Sequence, residues 1–261
     1  MMSGLSRCEP FRRPRRGLAA LLLLLAGCGS VTPGGITASW SERGQEAEAL
    51  LRQGEAEAAL AITSRVVDEM VRDLRPSPAS DRALSSVLTL HAVAEAALGR
   101  EDAAVRHWWL AQALDPRLEA EALASYGAAG AFLAERPLPD RSRSADEGCA
   151  IEELDGRPVF RVGDSGVGPP GRRSSPQPEL PRGTRASTRG GRVEIQAVID
   201  EEGRVHRPLV VHSDAAPMAY SAVEAVAGWR FEPARAGGEP VAVCYNLTIN
   251  WSVRRSSTYL P

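Results

Sequence analysis

Two hydrophobic periods divide the chain. From Ser41 to about Arg136, apolar residues recur at helical spacing in a background rich in Ala, Leu and Glu. In "QGEAEAALAITSRVV", Ala59, Thr63 and Val66 follow Gly54. In "LGREDAAVRHWWLAQALDP", Ala104, Trp108 and Ala111 follow Gly99, and Pro116 stops the helix. Small residues at Ala92, Gly99, Ala104 and Ala111 are expected to let two helices approach closely. Trp108 then fills the groove, and the pair Trp108–Trp109 is expected half in the core and half at the surface. A third helix, "LEAEALASYGAAGAFLAE", is expected to cap the pair.

Residues 137 to 181 are dense in Pro, Gly, Arg and Ser. "GVGPPGRRSSPQPELP" suits neither a regular helix nor a central strand. This stretch reads as a boundary holding at most one short strand, in "GRPVFRV". From Gly191 the period becomes two. "RVEIQAVID" places Val193, Ile195, Ala197 and Ile199 on one face, and Asp200 to Gly203 forms a hairpin turn. "RVHRPLVVHS" is a second strand, made irregular by Pro208. Ser213 or Asp214 is expected to cap a helix from about Ala216 to Gly228, with Pro217 in its first turn. "PVAVCYNLTINWSV" alternates again, with Val241, Val243, Tyr245, Leu247, Ile249 and Trp251 facing one way. The expected architecture is α+β: a helical region, then a β-β-α-β unit with a small antiparallel sheet. Trp229, Arg230 and Phe231 stand where the chain leaves the last helix, and Pro233 prevents its continuation. A core this small needs large apolar residues to close it, so Trp229 and Phe231 are expected inside.

The chain has 31 basic and 33 acidic residues, a formal net charge of −2, and every basic residue is arginine. No nucleic-acid footprint is visible. Arg12, Arg13, Arg15 and Arg16 precede the apolar run "GLAALLLLLA", the layout of a secretory signal. That run is about half of the roughly twenty residues needed to span a bilayer. Cys8 would leave with the signal. Cys149 and Cys244 lack C-x-x-C spacing, which leaves two readings: a disulfide formed after export, or two separate buried residues. No nucleophile–base pair, metal set or cofactor motif is visible, so an enzyme is not expected. "GDSG" at Gly163 to Gly166 matches the tetrapeptide around a trypsin-like nucleophile, but the rest of that machinery has no counterpart. It reads as a turn.

Three resemblances add to this reading. Leu25-Ala26-Gly27-Cys28 resembles the lipobox of bacterial lipoproteins, which implies cleavage before Cys28 and a lipid on its sulfur. Gly29, where an aspartate would favour the inner membrane, implies the outer membrane. The stretch around Trp108 resembles a tetratricopeptide repeat, and that around Thr63 a weaker copy. "DEEGRV", "AVEAVAGWRFEPA" and "GGEPVAVCYNLTINW", in that order, resemble the C-terminal domain of the TonB family; "PELPRGTRASTRGGRVEI" is similar to its lead-in, with Leu180 and Thr188 departing from the usual pattern. The resulting division is a signal at 1–27, a tether at 28–40, a helical domain at 41–136, a linker at 137–175 and a TonB-like domain at 176–261.

The resemblance implies that the last strand binds a short extended segment, the "TonB box" of an outer-membrane transporter, by strand addition. The residues so implied are Val241, Val243, Cys244, Tyr245, Asn246, Leu247, Thr248 and Ile249. The competing expectation is that this edge is covered, by a second copy or by "GRPVFRV". The functions implied are a lipid-anchored periplasmic adaptor for an outer-membrane protein, a homodimer remaining open, or a transducer coupling ExbB and ExbD to outer-membrane transport. Neither a cofactor nor nucleic acid enters.

Overall fold

The computed structural model describes residues 33–141, 148–185 and 190–252. Cys8, Cys28, the signal region and Thr188 lie outside the described residues. Two helical hairpins come first: α1 (Pro33–Gln53) with α2 (Ala56–Asp73), then α3 (Pro78–Ala97) with α4 (Glu101–Leu114). The first helix begins at Pro33, within the stretch read as a tether. Ser77 caps α3 by accepting the amide of Ser80 at 3.1 Å, with Pro78 in the first turn. The buried positions of α2, namely Ala59, Leu60, Thr63, Val66, Val67 and Met70, form one stripe. Ala92, Ala104 and Ala111 are fully buried, as close helix packing requires. Gly99 has a different task. Its φ is +71° and a Cβ there would meet nothing, so it ends α3 in a left-handed turn and is not a close-approach residue.

Trp108 and Trp109 are both buried, at 0% and 6% exposure, and neither is half at the surface. The reason is the third helical segment. α5 (Gly127–Ala134) packs on α3 and α4, and the 3₁₀ stretch before it (Ala120–Tyr126) packs on α5 and α1. The chain leaving α5 then passes beside Trp109, whose indole donates to the Arg136 carbonyl at 3.1 Å.

The region read as a linker holds β1 (Glu153–Leu154), β2 (Arg157–Pro158), β3 (Phe160–Arg161) and β4 (Gly171–Ser174). After the helical turn α6 (Arg182–Arg185) come β5 (Gly190–Ile199), β6 (Val205–Ser213), α7 (Ala216–Ala227), β7 (Arg230–Glu232), β8 (Ala234–Ala236), β9 (Glu239–Val241) and β10 (Val243–Ser252). The main sheet has the order β3-β10-β5-β6; β5 runs antiparallel to both neighbours, and β3 is parallel to β10. The sheet is therefore mixed, not purely antiparallel. Two register shifts interrupt β5 against β6, one at Val211 and one beside Arg207 (φ +49°) and Pro208. This bulge accommodates the missing proline donor. Neither Ser213 nor Asp214 caps α7. Its N-cap is Ala215, and the Asp214 carboxylate instead accepts the Arg192 amide at 2.7 Å.

The expected spacer is a structural part of the C-terminal half. Alternation in β5 accounts for one buried face, yet Gln196 and Val198 on the other face are buried too. Residues 148–151 cover them. The Gln196 amide accepts from the Ala150 N–H at 2.6 Å and donates to the Gly148 carbonyl at 3.2 Å. Ile151, Leu154 and Val167 are buried, and Cys149 is bonded to Cys244. A Pro- and Gly-rich stretch can cover a sheet face without regular structure when its few apolar side chains enter the core and its backbone finds polar partners.

The two halves share one continuous core, from Trp40 through Trp108 to Trp251. Helices α2 and α4 pack on α7, and α4 also packs on β6. At this junction lies a partly buried charged network. Arg106 Nε donates to Glu224 Oε1 at 2.9 Å, His107 Nε2 lies 3.2 Å from the same oxygen, and His107 Nδ1 lies 2.6 Å from Glu95 Oε2. The Tyr220 ring stacks on His107 with centroids 5.9 Å apart. Burial works against the charged form of Glu95, but its bond to His107 and the nearby His91 outweigh it and hold the carboxyl down to about 2. Burial likewise opposes ionisation of Glu224, and His107 and Arg106 bring it down to about 2.

The β5–β6 hairpin is tied by Asp200. Its buried carboxylate accepts from the amides of Glu202 (3.0 Å) and Arg204 (2.7 Å), from Arg204 Nε (2.7 Å), and pairs with His206 Nε2 (2.8 Å). Burial raises its pKa, yet the bonds from Arg204 and His206 outweigh this and leave it lowered. A lowered folded-state pKa means stability that is complete above the unfolded value, near 3.9, and is lost as the pH falls through the folded one. Asp200→Ala is therefore expected to cost about 1–3 kcal/mol at neutral pH. It should also flatten the acid limb of a urea-midpoint profile below about pH 4. An unchanged acid limb would assign that limb to other carboxylates.

Candidate peptide-binding edge

The last strand has a fully paired inner side and a mostly unpaired outer one. On its inner side β10 pairs with β5 along its whole length, from Val243↔Ile199 to Ser252↔Gly190. On its outer side β3 pairs with Val243 and Cys244 alone. Past Cys244, among the described residues, no strand is in register with the outer edge. The expectation that "GRPVFRV" covers this edge thus holds for its first two residues. Val241 is not part of it: the residue lies in β9, opposite Ala234.

Backbone direction along β10 follows from two bonds. The Phe160 amide donates to the Ala242 carbonyl at 2.9 Å, and Gln177 Nε2 donates to the Asn250 carbonyl at 3.2 Å. Both carbonyls face away from β5. Because backbone groups alternate sides along a strand, Cys244, Asn246, Thr248 and Asn250 direct their backbone groups outward. Val243, Tyr245, Leu247 and Ile249 direct theirs to β5. Side chains alternate separately between the two faces of the sheet. Leu247, Ile249 and Trp251 are buried, Tyr245 is half-buried, and Asn246, Thr248 and Asn250 are exposed. The Asn246 carboxamide oxygen accepts from Gln196 at 3.2 Å.

Both ends of the edge are anchored. At its start the Cys149–Cys244 bond, with Cα atoms 6.1 Å apart, fixes the covering segment beside β10. At its end the Trp251 indole donates to the Pro178 carbonyl at 2.8 Å. Trp229 holds the same lead-in, donating to the Pro176 carbonyl at 3.1 Å, while Arg172 lies over its ring at 5.6 Å. Leu180 packs against the core from this lead-in. Phe231 is 1% exposed, meets Tyr245 edge to face with centroids 6.1 Å apart, and belongs to β7, which pairs with β4. Its amide donates to the Gly203 carbonyl at 2.8 Å. Gly203 has φ +79°, and a Cβ there would overlap the Phe231 carbonyl oxygen, so the turn admits only glycine. Arg230 is exposed between the two buried aromatics, and Pro233 follows β7. Trp-Arg-Phe therefore joins the lead-in, the hairpin turn and the last strand.

Gly163 to Gly166 is a turn, with Gly163 at φ +95° and a 3₁₀ stretch after it. His91, Glu95 and His107, which sequence spacing treats as ordinary helix residues, converge in the core. Their separation along the chain hides this; His91 and Glu95 at i,i+4 were the one visible signal. No helix among the described residues is long and apolar enough to cross a membrane. No curated protein matches the chain. Residues 176–253, from the lead-in clasped by Trp229 and Trp251 to the end of β10, match the family described as Gram-negative bacterial TonB protein C-terminal.

Proposed function

We propose that the chain is a lipid-anchored periplasmic adaptor. Its TonB-like domain takes an extended segment of an outer-membrane protein, of the transporter class, as an added strand along β10. One observation carries this reading: the outer edge of β10 continues past β3 with outward backbone groups at alternate residues, inside the stretch that matches the family. Backbone hydrogen bonds would supply affinity, and the exposed side chains of Thr248 and Asn250 would contribute selectivity. The helical hairpins, read as tetratricopeptide-like, brace the domain through α7. Cys28 would carry the lipid. Palmitate incorporation that is lost in Cys28→Ala supports this anchor, and an uncleaved, unlabelled precursor in the membrane fraction supports a TonB-type transducer working with ExbB and ExbD instead.

Strand parity makes the edge testable. Thr248→Pro removes an outward donor, so peptide binding should be lost while the fold persists. Leu247→Pro removes a donor to β5 and a buried side chain, and should cost about 3 kcal/mol or more. Amide shifts of Tyr245 to Ile249 on titration with a transporter-derived segment give the readout. No shift at millimolar peptide, in a folded chain, rejects strand addition.

A further inference from the structure

The junction between the two halves holds three potential metal ligands that no motif announces. His91 and Glu95 project from one face of α3, and His107 comes from α4; all three are buried, and one donor atom from each lies within 4.8 Å of the others. The orientation of both rings is set from behind. The Thr63 hydroxyl donates to the Ala59 carbonyl at 3.0 Å, so its oxygen is left to accept from His91 Nδ1, also at 3.0 Å. In the neutral ring this leaves Nε2 without a proton. That nitrogen faces Glu95 Oε1 at 3.5 Å, longer than a good hydrogen bond, inside the core. On the other ring, Glu224 takes His107 Nε2 at 3.2 Å, which turns Nδ1 toward Glu95 Oε2. Each oxygen of Glu95 thus faces a different imidazole nitrogen.

We propose that His91 Nε2, His107 Nδ1 and both oxygens of Glu95 form a binding site for one zinc-class divalent ion. Two imidazoles and one carboxylate are three protein ligands of the kind zinc accepts, and the two Glu95 oxygens, each facing one imidazole, bring the donor atoms to four. Donors on different residues, each about 2.0–2.2 Å from zinc, lie roughly 3.3 Å from one another. The His91–Glu95 spacing of 3.5 Å is already of that size. The ion replaces the proton between His107 and Glu95, and the His107 ring withdraws by somewhat under about 1 Å to reach the zinc distance. A hydroxyl behind one histidine and a carboxylate behind the other match the partners that orient metal-ligating histidines. Those partners come from both halves, Thr63 from α2 and Glu224 from α7, so an ion here links the helical hairpins to the TonB-like domain.

The test is equilibrium dialysis of the oxidised, full chain against zinc, with cobalt(II) as spectroscopic stand-in. The expected result is one ion per chain at micromolar free zinc, visible cobalt bands of a four-coordinate site, and a raised melting temperature. His91→Ala and Glu95→Gln should each abolish the bands and weaken zinc binding at least about 100-fold, and Glu224→Gln should weaken it about 10- to 100-fold. His206→Ala/His212→Ala should leave it unchanged. If a ligand variant fails to fold, Glu224→Gln and the wild-type stoichiometry decide. A folded chain that takes up no zinc, or takes it up equally with His91 or Glu95 replaced, overturns the site and leaves a proton-bridged network.

Discussion

Trp229→Ala should lower the stability of the whole chain by about 3–5 kcal/mol, the usual cost of truncating a buried aromatic. The indole is 3% exposed and donates to the Pro176 carbonyl, so the substitution opens a cavity and also removes that hydrogen bond. The lead-in loses one of its two tryptophan anchors, leaving Trp251 on Pro178. From periodicity alone, this loss would be confined to a C-terminal domain. The continuous core alters that expectation: α7 packs on α2 and α4 around Glu224, so the helical hairpins should unfold in the same transition. Urea unfolding followed by far-UV circular dichroism and by tryptophan fluorescence tests this. Coincident, shifted curves are expected; a midpoint that barely moves would show that the indole contributes little to the core.

Removing the Cys149–Cys244 bond should have an effect of similar size. The two residues are 95 apart in sequence, and opening a loop of that length costs about 4–5 kcal/mol through the entropy of the unfolded chain. The structural consequence is specific. Residues 148–151 cover Gln196, and Phe160 pairs with Ala242 from the same segment, so the freed segment is expected to leave both places together. Cys149→Ser/Cys244→Ser should therefore lower the urea midpoint, and hydrogen exchange should accelerate at Ala150 and Phe160 before it does in β5. Equal protection at these amides with and without the bond would mean that packing, and not the cross-link, holds the segment. Under reducing conditions the parent chain should behave as the double variant does.

Much of the C-terminal half can be read from local pattern. Alternation in β5 and β10, the Asp200–Gly203 turn and the helix ending before Trp229 are all short-range features, set by side-chain period and turn chemistry. The parity that divides Thr248 from Leu247 is also implicit in that alternation, but which parity faces outward is not. Phe160 and Gln177 decide it, from segments that lie some seventy to eighty residues away along the chain from their partners. Similarly, the spacing of Gly99 is legible and its task is not, because close approach and a left-handed turn both call for glycine.

By itself the sequence determined the order and type of the main elements, the buried aromatics Trp229 and Phe231, and the TonB-like stretch. Each of these follows from interactions within a few residues or from a contiguous motif. Tertiary structure alone decided that the Pro- and Gly-rich stretch covers a sheet face, that Cys149 meets Cys244, that β3 shortens the open edge, and that His91, Glu95, His107 and Glu224 share one site. These contacts depend on how far-separated segments cross in space, and the composition of such segments constrains their partners weakly. A helical histidine reads the same whether it faces solvent or a carboxylate from another domain. Burial decides between the two, because only in the core must every polar group find a partner.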